Sequence, residues 1–163
     1  MAAVVVVALL APFIAPFEPS AQQLAHRLKP PSWLPGGDPR FLLGTDHLGR
    51  DILSRLLHGA RVSLPIAAAA TTVGALIGIT LGLLSGYFGG WVDSAVTKLI
   101  DIQLSFPFIL FAIAVIAVSG PTLLVIVLVL SARSWTTFAR VVRGETFTIS
   151  GNEYVTAARA LGA

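Results

Sequence analysis

The 163-residue chain contains no cysteine, which excludes disulfides, thiolate metal sites and cysteine nucleophiles. Only two lysines are present, Lys29 and Lys98, and neither follows a glycine. The chain therefore lacks the G-x-x-x-x-G-K-[ST] loop that cradles nucleotide phosphates. Charge is scarce too: 12% of the residues are Asp, Glu, Lys or Arg, about half of the roughly 25% usual in soluble domains. Residues 2–17, 62–92 and 102–132 carry none at all. With 55% hydrophobic residues and a mean hydropathy of +0.84, gaps of this length exclude a soluble globular domain. A net charge of +3 without a dense basic run excludes nucleic acid as a partner. His26, His47 and His58 are scattered without ligand spacing and read as surface histidines, so neither a metal nor a cofactor is expected. No serine, histidine and acid arrangement suggests a nucleophile, and the chain does not read as an enzyme.

What is there is a series of apolar segments. Met1–Phe17 is apolar but interrupted by Pro12 and Pro16. A helix ending at Pro12 is about 17 Å long, short of a hydrocarbon core of roughly 30 Å. It reads either as a signal peptide or, better, as the outer half of a first transmembrane helix whose start is missing. Residues 18–61 form a polar connection. Its breakers Pro30-Pro31, Pro35-Gly36-Gly37 and Asp38-Pro39 predict loop. Beyond them Ile52, Leu53, Leu56, Leu57 and Ala60 share one helical face opposite Arg50, Asp51, Ser54, Arg55 and His58, the pattern of an interfacial helix.

Ser63–Gly86 is uncharged and long enough to cross the bilayer. Gly74, Gly78, Gly82 and Gly86 recur at every fourth residue, which lays three overlapping G-x-x-x-G units on one face. Small residues let helix backbones approach closely in lipid. Close packing and a smooth channel-lining face both follow from this pattern, and both place the helix inside a bundle. Tyr87–Ser105 reads as a connection, and a third span from near Leu99 to Val118 carries a kink at Pro107. A fourth span, Thr122 to about Val142, contains Arg133, which is costly in a membrane unless it meets a cavity, a partner or the interface. Arg140 and Arg143 then form a basic exit. A count of Lys and Arg places residues 18–61 on the cytoplasmic side. The motif that ends the chain places them on the opposite side, and that orientation is preferred.

The last residues form a short amphipathic helix, with Tyr154, Val155, Ala158 and Leu161 on one stripe and Glu153, Thr156 and Arg159 largely off it. Gly162 then stops it. Three motifs resemble one family, the C-type inner-membrane permeases of dipeptide, oligopeptide and nickel ABC importers. The first, Phe41-Leu42-Leu43-Gly44-Thr45-Asp46-His47-Leu48-Gly49-Arg50-Asp51-Ile52-Leu53-Ser54-Arg55 through Leu64, resembles the family signature LGTDxxGRDxxSRxxxGxRxSL. The second is Gly86-Tyr87-Phe88-Gly89-Gly90-Trp91-Val92-Asp93 with Pro107. The third is Glu153-Tyr154-Val155-Thr156-Ala157-Ala158-Arg159-Ala160-Leu161-Gly162-Ala163, which is similar to the cytoplasmic EAA loop but has Thr156 where the pattern carries glutamate.

The resemblance implies an all-α, polytopic transmembrane helical bundle of the type I ABC importer permease fold, with about four of six spans present, and so a truncated permease. It implies a first helix at 1–17, an extracytoplasmic loop and interfacial helix at 18–61, and a permease core at 62–163 that ends in the start of a coupling loop at 151–163. Glu153, Tyr154, Ala157, Ala158 and Gly162 are the implied ATPase-docking residues. The implied partners are a second permease subunit, two ABC ATPase subunits that hydrolyse the ATP, an extracytoplasmic substrate-binding protein and the lipid bilayer of the bacterial plasma (inner) membrane. The alternative from another class is a non-transporting helical scaffold, a channel-like protein or an inactive fragment.

Overall fold

The computed structural model describes residues 2–162; Met1 and Ala163, together with the side chains of Ala2, Ala3, Thr156, Ala158 and Arg159, lie outside the described residues. The described chain contains six α-helices: α1 (Ala2–Ile14), α2 (Ile52–Phe88), α3 (Gly90–Ser105), α4 (Phe108–Ser119), α5 (Leu123–Ser150) and α6 (Glu153–Ala160). It divides into two compact units, residues 1–65 and 66–163.

In the first unit, α1 continues two residues past Pro12 to Ile14. Its apolar part, Val4–Ile14, is shorter than a membrane span. The polar segment after it folds around the signature motif. Asp46 Oδ1 accepts from the amides of Leu48 (2.8 Å) and Arg50 (3.0 Å), while Oδ2 accepts from Arg50 Nε at 2.8 Å and from the Arg55 guanidinium. Thr45 Oγ1 accepts from the Lys29 amide at 2.9 Å and donates to the His26 carbonyl. Gly49 has φ +72°, and a Cβ there would lie 2.0 Å from the Gln23 carbonyl oxygen, so the turn needs glycine for both conformation and space. Phe41 is fully buried, its ring 5.1 Å from that of Phe17 and 5.7 Å from His26.

Asp51 closes this knot and starts α2. Its Oδ2 accepts from the amide (2.7 Å) and hydroxyl (2.6 Å) of Ser54, satisfying an orphan N–H of the first turn as an N-cap should. Ser54 Oγ in turn accepts from the Phe17 amide at 3.0 Å. The interfacial helix and the second span expected from the sequence are therefore one 37-residue helix. Pro65 lies inside it and leaves only the Arg61 carbonyl without its helical donor.

In the second unit, α2 and α5 run parallel in near-contact. A Cβ at Gly74 would fall 1.8 Å from Ser134 Oγ, at Gly78 2.3 Å from the Trp135 carbonyl oxygen, at Gly82 2.7 Å from that of Ala139, and at Gly86 2.5 Å from Thr146 Cβ. Each fourth residue of α2 thus meets the next turn of α5. Antiparallel to both runs α3, where Val96 and Ile100 pack with Ala139, Leu81 and Trp135. This corrects the reading of Tyr87–Ser105 as a connection: α3 begins at Gly90, and its polar first turns are tolerated because Asp93 is paired. The kink expected at Pro107 is a break of 84° between α3 and α4. Thr122 caps α5 by accepting from the Val125 amide at 3.3 Å, and the helix continues well past Val142 to Ser150. Among the described residues, α2 and α5 are each long and apolar enough to cross a membrane, and the bent α3–α4 pair makes a third span if counted as one.

Two outcomes follow. Gly78→Ala destabilises the chain in detergent, because its new Cβ meets backbone. Gly144→Ala, on a helical face where a Cβ meets nothing within 4 Å, stabilises it by about 0.5–1 kcal/mol; thermal unfolding distinguishes the two. For the loop knot, burial alone would raise the Asp46 carboxyl. Hydrogen bonds from the Arg50 and Leu48 amides and the Arg50 guanidinium outweigh it and hold the group well below the ordinary carboxylate range. The arginine beside Asp38 holds that carboxyl low as well. Their stabilisation is then fully present above about pH 4 and is lost only as pH falls through the depressed folded values. Amide exchange protection at Leu48 and Arg50 is expected to be flat from neutral pH to about pH 5, and Asp46→Ala lowers it roughly tenfold or more.

Candidate functional site

Three features of the second unit carry chemistry that simple lipid burial does not require. The first is an ion pair where the ends of α2, α3 and α5 meet. Asp93, one turn into α3, accepts from the Ser85 hydroxyl at 2.6 Å and from both Nε and Nη2 of Arg143, the latter at 2.8 Å. The pair is bidentate, the strongest geometry available to these groups. Arg143 also stacks its guanidinium 5.0 Å from the centre of the Phe147 ring. Three helices are thereby locked at one end, next to the Gly86–Thr146 approach.

The second feature is the region of the α3–α4 break. Gln103, on the last turn of α3, donates its amide to the Ala132 carbonyl and accepts from Trp135 Nε1 at 2.7 Å. Around it lie an apolar cavity of about 810 Å³, bounded by Ile77, Leu81, Phe111 and Trp135 among others, and a smaller one bounded by Pro107, Arg133 and Thr136.

The third is α6, joined to α5 by a tight turn. Gly151 N donates to the Phe147 carbonyl at 3.1 Å and Asn152 N to that of Ile149 at 3.1 Å. Glu153 opens the helix, where the dipole favours an acid. Tyr154 is 65% and Leu161 89% exposed, and Glu153 and Ala157 are exposed beside them, while Val155 is half-buried. The stripe read from the sequence therefore divides: Val155 turns inward, and Tyr154 and Leu161 face outward. Gly162, at φ +94°, takes the left-handed conformation that ends such a helix. The side chain of Ala158 lies outside the described residues. So Glu153, Tyr154 and Ala157 lie on one short helix with Gly162 in the turn just beyond it, whereas Gly74, Gly78, Gly82 and Gly86 lie along the α2–α5 contact.

Sequence reading did not find the Asp93–Arg143 pair or the Gln103–Trp135 bond. The partners are 50 and 32 residues apart, and no helical or turn periodicity links such positions. The one available signal was Asp93 itself, an acid at the edge of an apolar region with basic residues on a neighbouring span.

Long apolar helices, a glycine-lined helix contact and a broken span define a polytopic helical membrane protein. Residues 74–163, more than half the chain, match the family described as binding-protein-dependent transport system inner membrane component. The chain is 44% identical over 163 residues to the di/tripeptide transport system permease protein of Pseudomonas aeruginosa, covering 100% of this chain and 54% of that protein. It is 39% identical over 160 residues to the dipeptide transport system permease protein of Haemophilus influenzae, with 98% and 54% covered. It is also 45% identical over 121 residues to the glutathione transport system permease protein of Pectobacterium atrosepticum, with 74% and 40% covered. The chain belongs to the binding-protein-dependent transport system inner membrane component family, and it is a multi-pass inner-membrane protein. It spans about half the length of the curated relatives it matches.

Breaking the ion pair from either side tests the first feature. Asp93→Asn and Arg143→Gln each cost about 1–3 kcal/mol, by leaving a half-buried polar partner unmatched. The double variant costs less than the sum, and the coupling energy read from thermal unfolding in detergent is the check.

Proposed function

We propose that the chain forms part of the transmembrane path of an ATP-driven importer for small peptides, and that α6 docks an ATPase subunit. The observation that supports this most is α6 itself, an eight-residue helix beyond the last long apolar helix with Tyr154 and Leu161 outward. Exposed aromatic and aliphatic side chains on a helix with small neighbours fit a groove on another protein. The names of the relatives, transport proteins for dipeptides and glutathione, support the substrate class.

On this reading Glu153, Tyr154, Ala157, Ala158 and Gly162 form the docking helix, and the four glycines of α2 hold the bundle that it drives. The partners are a second permease, two ATPases and an extracytoplasmic binding protein. ATP hydrolysis occurs in the ATPases, and this chain contributes the lever. Force applied to α6 enters α5 through the Gly151–Asn152 turn. It reaches α2 and α3 through the Asp93–Arg143 pair. The coupling segment at 151–163 belongs to the second compact unit, residues 66–163, which suits this division of labour.

Because the chain has no cysteine, Ala157→Cys introduces a single thiol. In the assembled transporter it is expected to cross-link to a thiol in the ATPase groove, with a yield that changes between nucleotide-free and ATP-bound states. A yield that nucleotide leaves unchanged, or no cross-link at all, overturns the docking assignment.

A further inference from the structure

Arg133 is a charged residue of the second unit that neither packing nor docking uses. It lies ten residues after Leu123 and ten before Arg143, so each is about 15 Å away along α5. In a span through a core of about 30 Å, that is mid-depth. None of the ion pairs among the described residues involves it. A guanidinium at this depth is tolerated where it faces a cavity or a polar partner.

Arg133 lines a cavity of about 240 Å³ together with Gln103, Phe106, Pro107, Phe108 and Thr136. The other side-chain polar groups in that wall are already engaged. Gln103 is held by Ala132 and Trp135, and the Thr136 hydroxyl donates to the Arg133 carbonyl at 3.2 Å. The guanidinium, with five donors in a planar fork, retains unused capacity. The cavity opens where the backbone is interrupted between α3 and α4, and the first N–H groups of α4 add positive partial charge at the same break. Interrupted helices that present such ends to anionic solute groups are a recurring device of transport proteins. The apolar cavity of about 810 Å³ shares Gln103, Phe106 and Phe108 with it. A positive subsite thus adjoins a hydrophobic one. The smaller volume suits the end of a molecule, and the larger suits its side chains.

We propose that this cavity is an anion subsite on the solute path, in which Arg133 receives the carboxylate of a passing peptide. The proposal rests on the importer reading above. Lipid phosphate is the other anion within reach of membrane arginines, but the headgroup layers lie about 15 Å away on either side of mid-depth.

The test uses the full-length protein with its partners in proteoliposomes. Phe106→Cys places a single thiol in the cavity wall, and Leu104→Cys, on the same wall, replaces it where the first variant does not assemble. Labelling rates are measured with an anionic (sulfonatoethyl) and a cationic (trimethylammonioethyl) methanethiosulfonate. The anionic-to-cationic rate ratio is expected to fall about tenfold when Arg133→Gln is added. Glycylglycine is expected to slow labelling with Arg133 present, and glycinamide-capped glycine to do so much less. A ratio unmoved by Arg133→Gln, a thiol that neither reagent reaches, or equal protection by acid and amide overturns the subsite. ATP-driven peptide uptake by the unsubstituted assembly is scored separately. Its absence alongside an intact charge preference removes the importer reading and not the anion subsite.

Discussion

The second unit depends on the closeness of α2 and α5. Four successive turns of α2 present glycine to α5, and at each one an added Cβ would lie within 2.7 Å of an α5 atom. In lipid no hydrophobic force draws helices together, so van der Waals contact between backbones has to supply the association. Ser131 and Ser134 lie at the Gly74 end of this seam, and Ser131 turns its hydroxyl back to the Val127 carbonyl at 2.7 Å. With α5 fixed against α2, the groove that remains is filled by α3. Ala139, fully buried, is the point where all three helices meet.

Polar bonds then fix what dispersion alone leaves free. A smooth glycine face permits sliding, since one register resembles the next four residues on. The bidentate Asp93–Arg143 pair and the Gln103–Trp135 bond have no such periodicity, and each allows one alignment. Ser85, fully buried, ties the same carboxylate back to α2. Small residues therefore set the distance between helices, and the polar pairs set their register.

Much of this was legible beforehand. Four-residue glycine spacing located the α2 face, Pro107 marked the break, and Gly162 marked the end of the terminal helix, because each is a local property of the chain. What escaped were relations between distant segments. A hydropathy pattern counts Asp93, Lys98 and Asp101 against a span and so delays α3 to Leu99, although the structure neutralises Asp93 with a residue fifty positions on. In the same way the sequence separates an interfacial helix from a second span at Arg61, where the structure shows one helix. A change in side-chain polarity carries no signal that the backbone should stop, and Pro65 interrupts a single hydrogen bond. For α6, periodicity grouped Val155 with Tyr154 and Leu161, and only the folded chain separates the half-buried Val155 from the exposed pair.

A single residue, Gly89, separates α2 from α3. Its φ of 61° and ψ of −152° lie in a region open only to glycine, and Gly90 follows at φ 51°. A Cβ at either position would meet nothing within 4 Å. A side chain at either position is therefore disfavoured by torsion angle and not by crowding. The Ser85–Asp93 bond, eight residues apart, spans this turn, so the α2–α3 hairpin carries a polar clasp of its own. The elbow thus holds a carboxylate gripped from within the hairpin by Ser85 and from fifty residues on by Arg143.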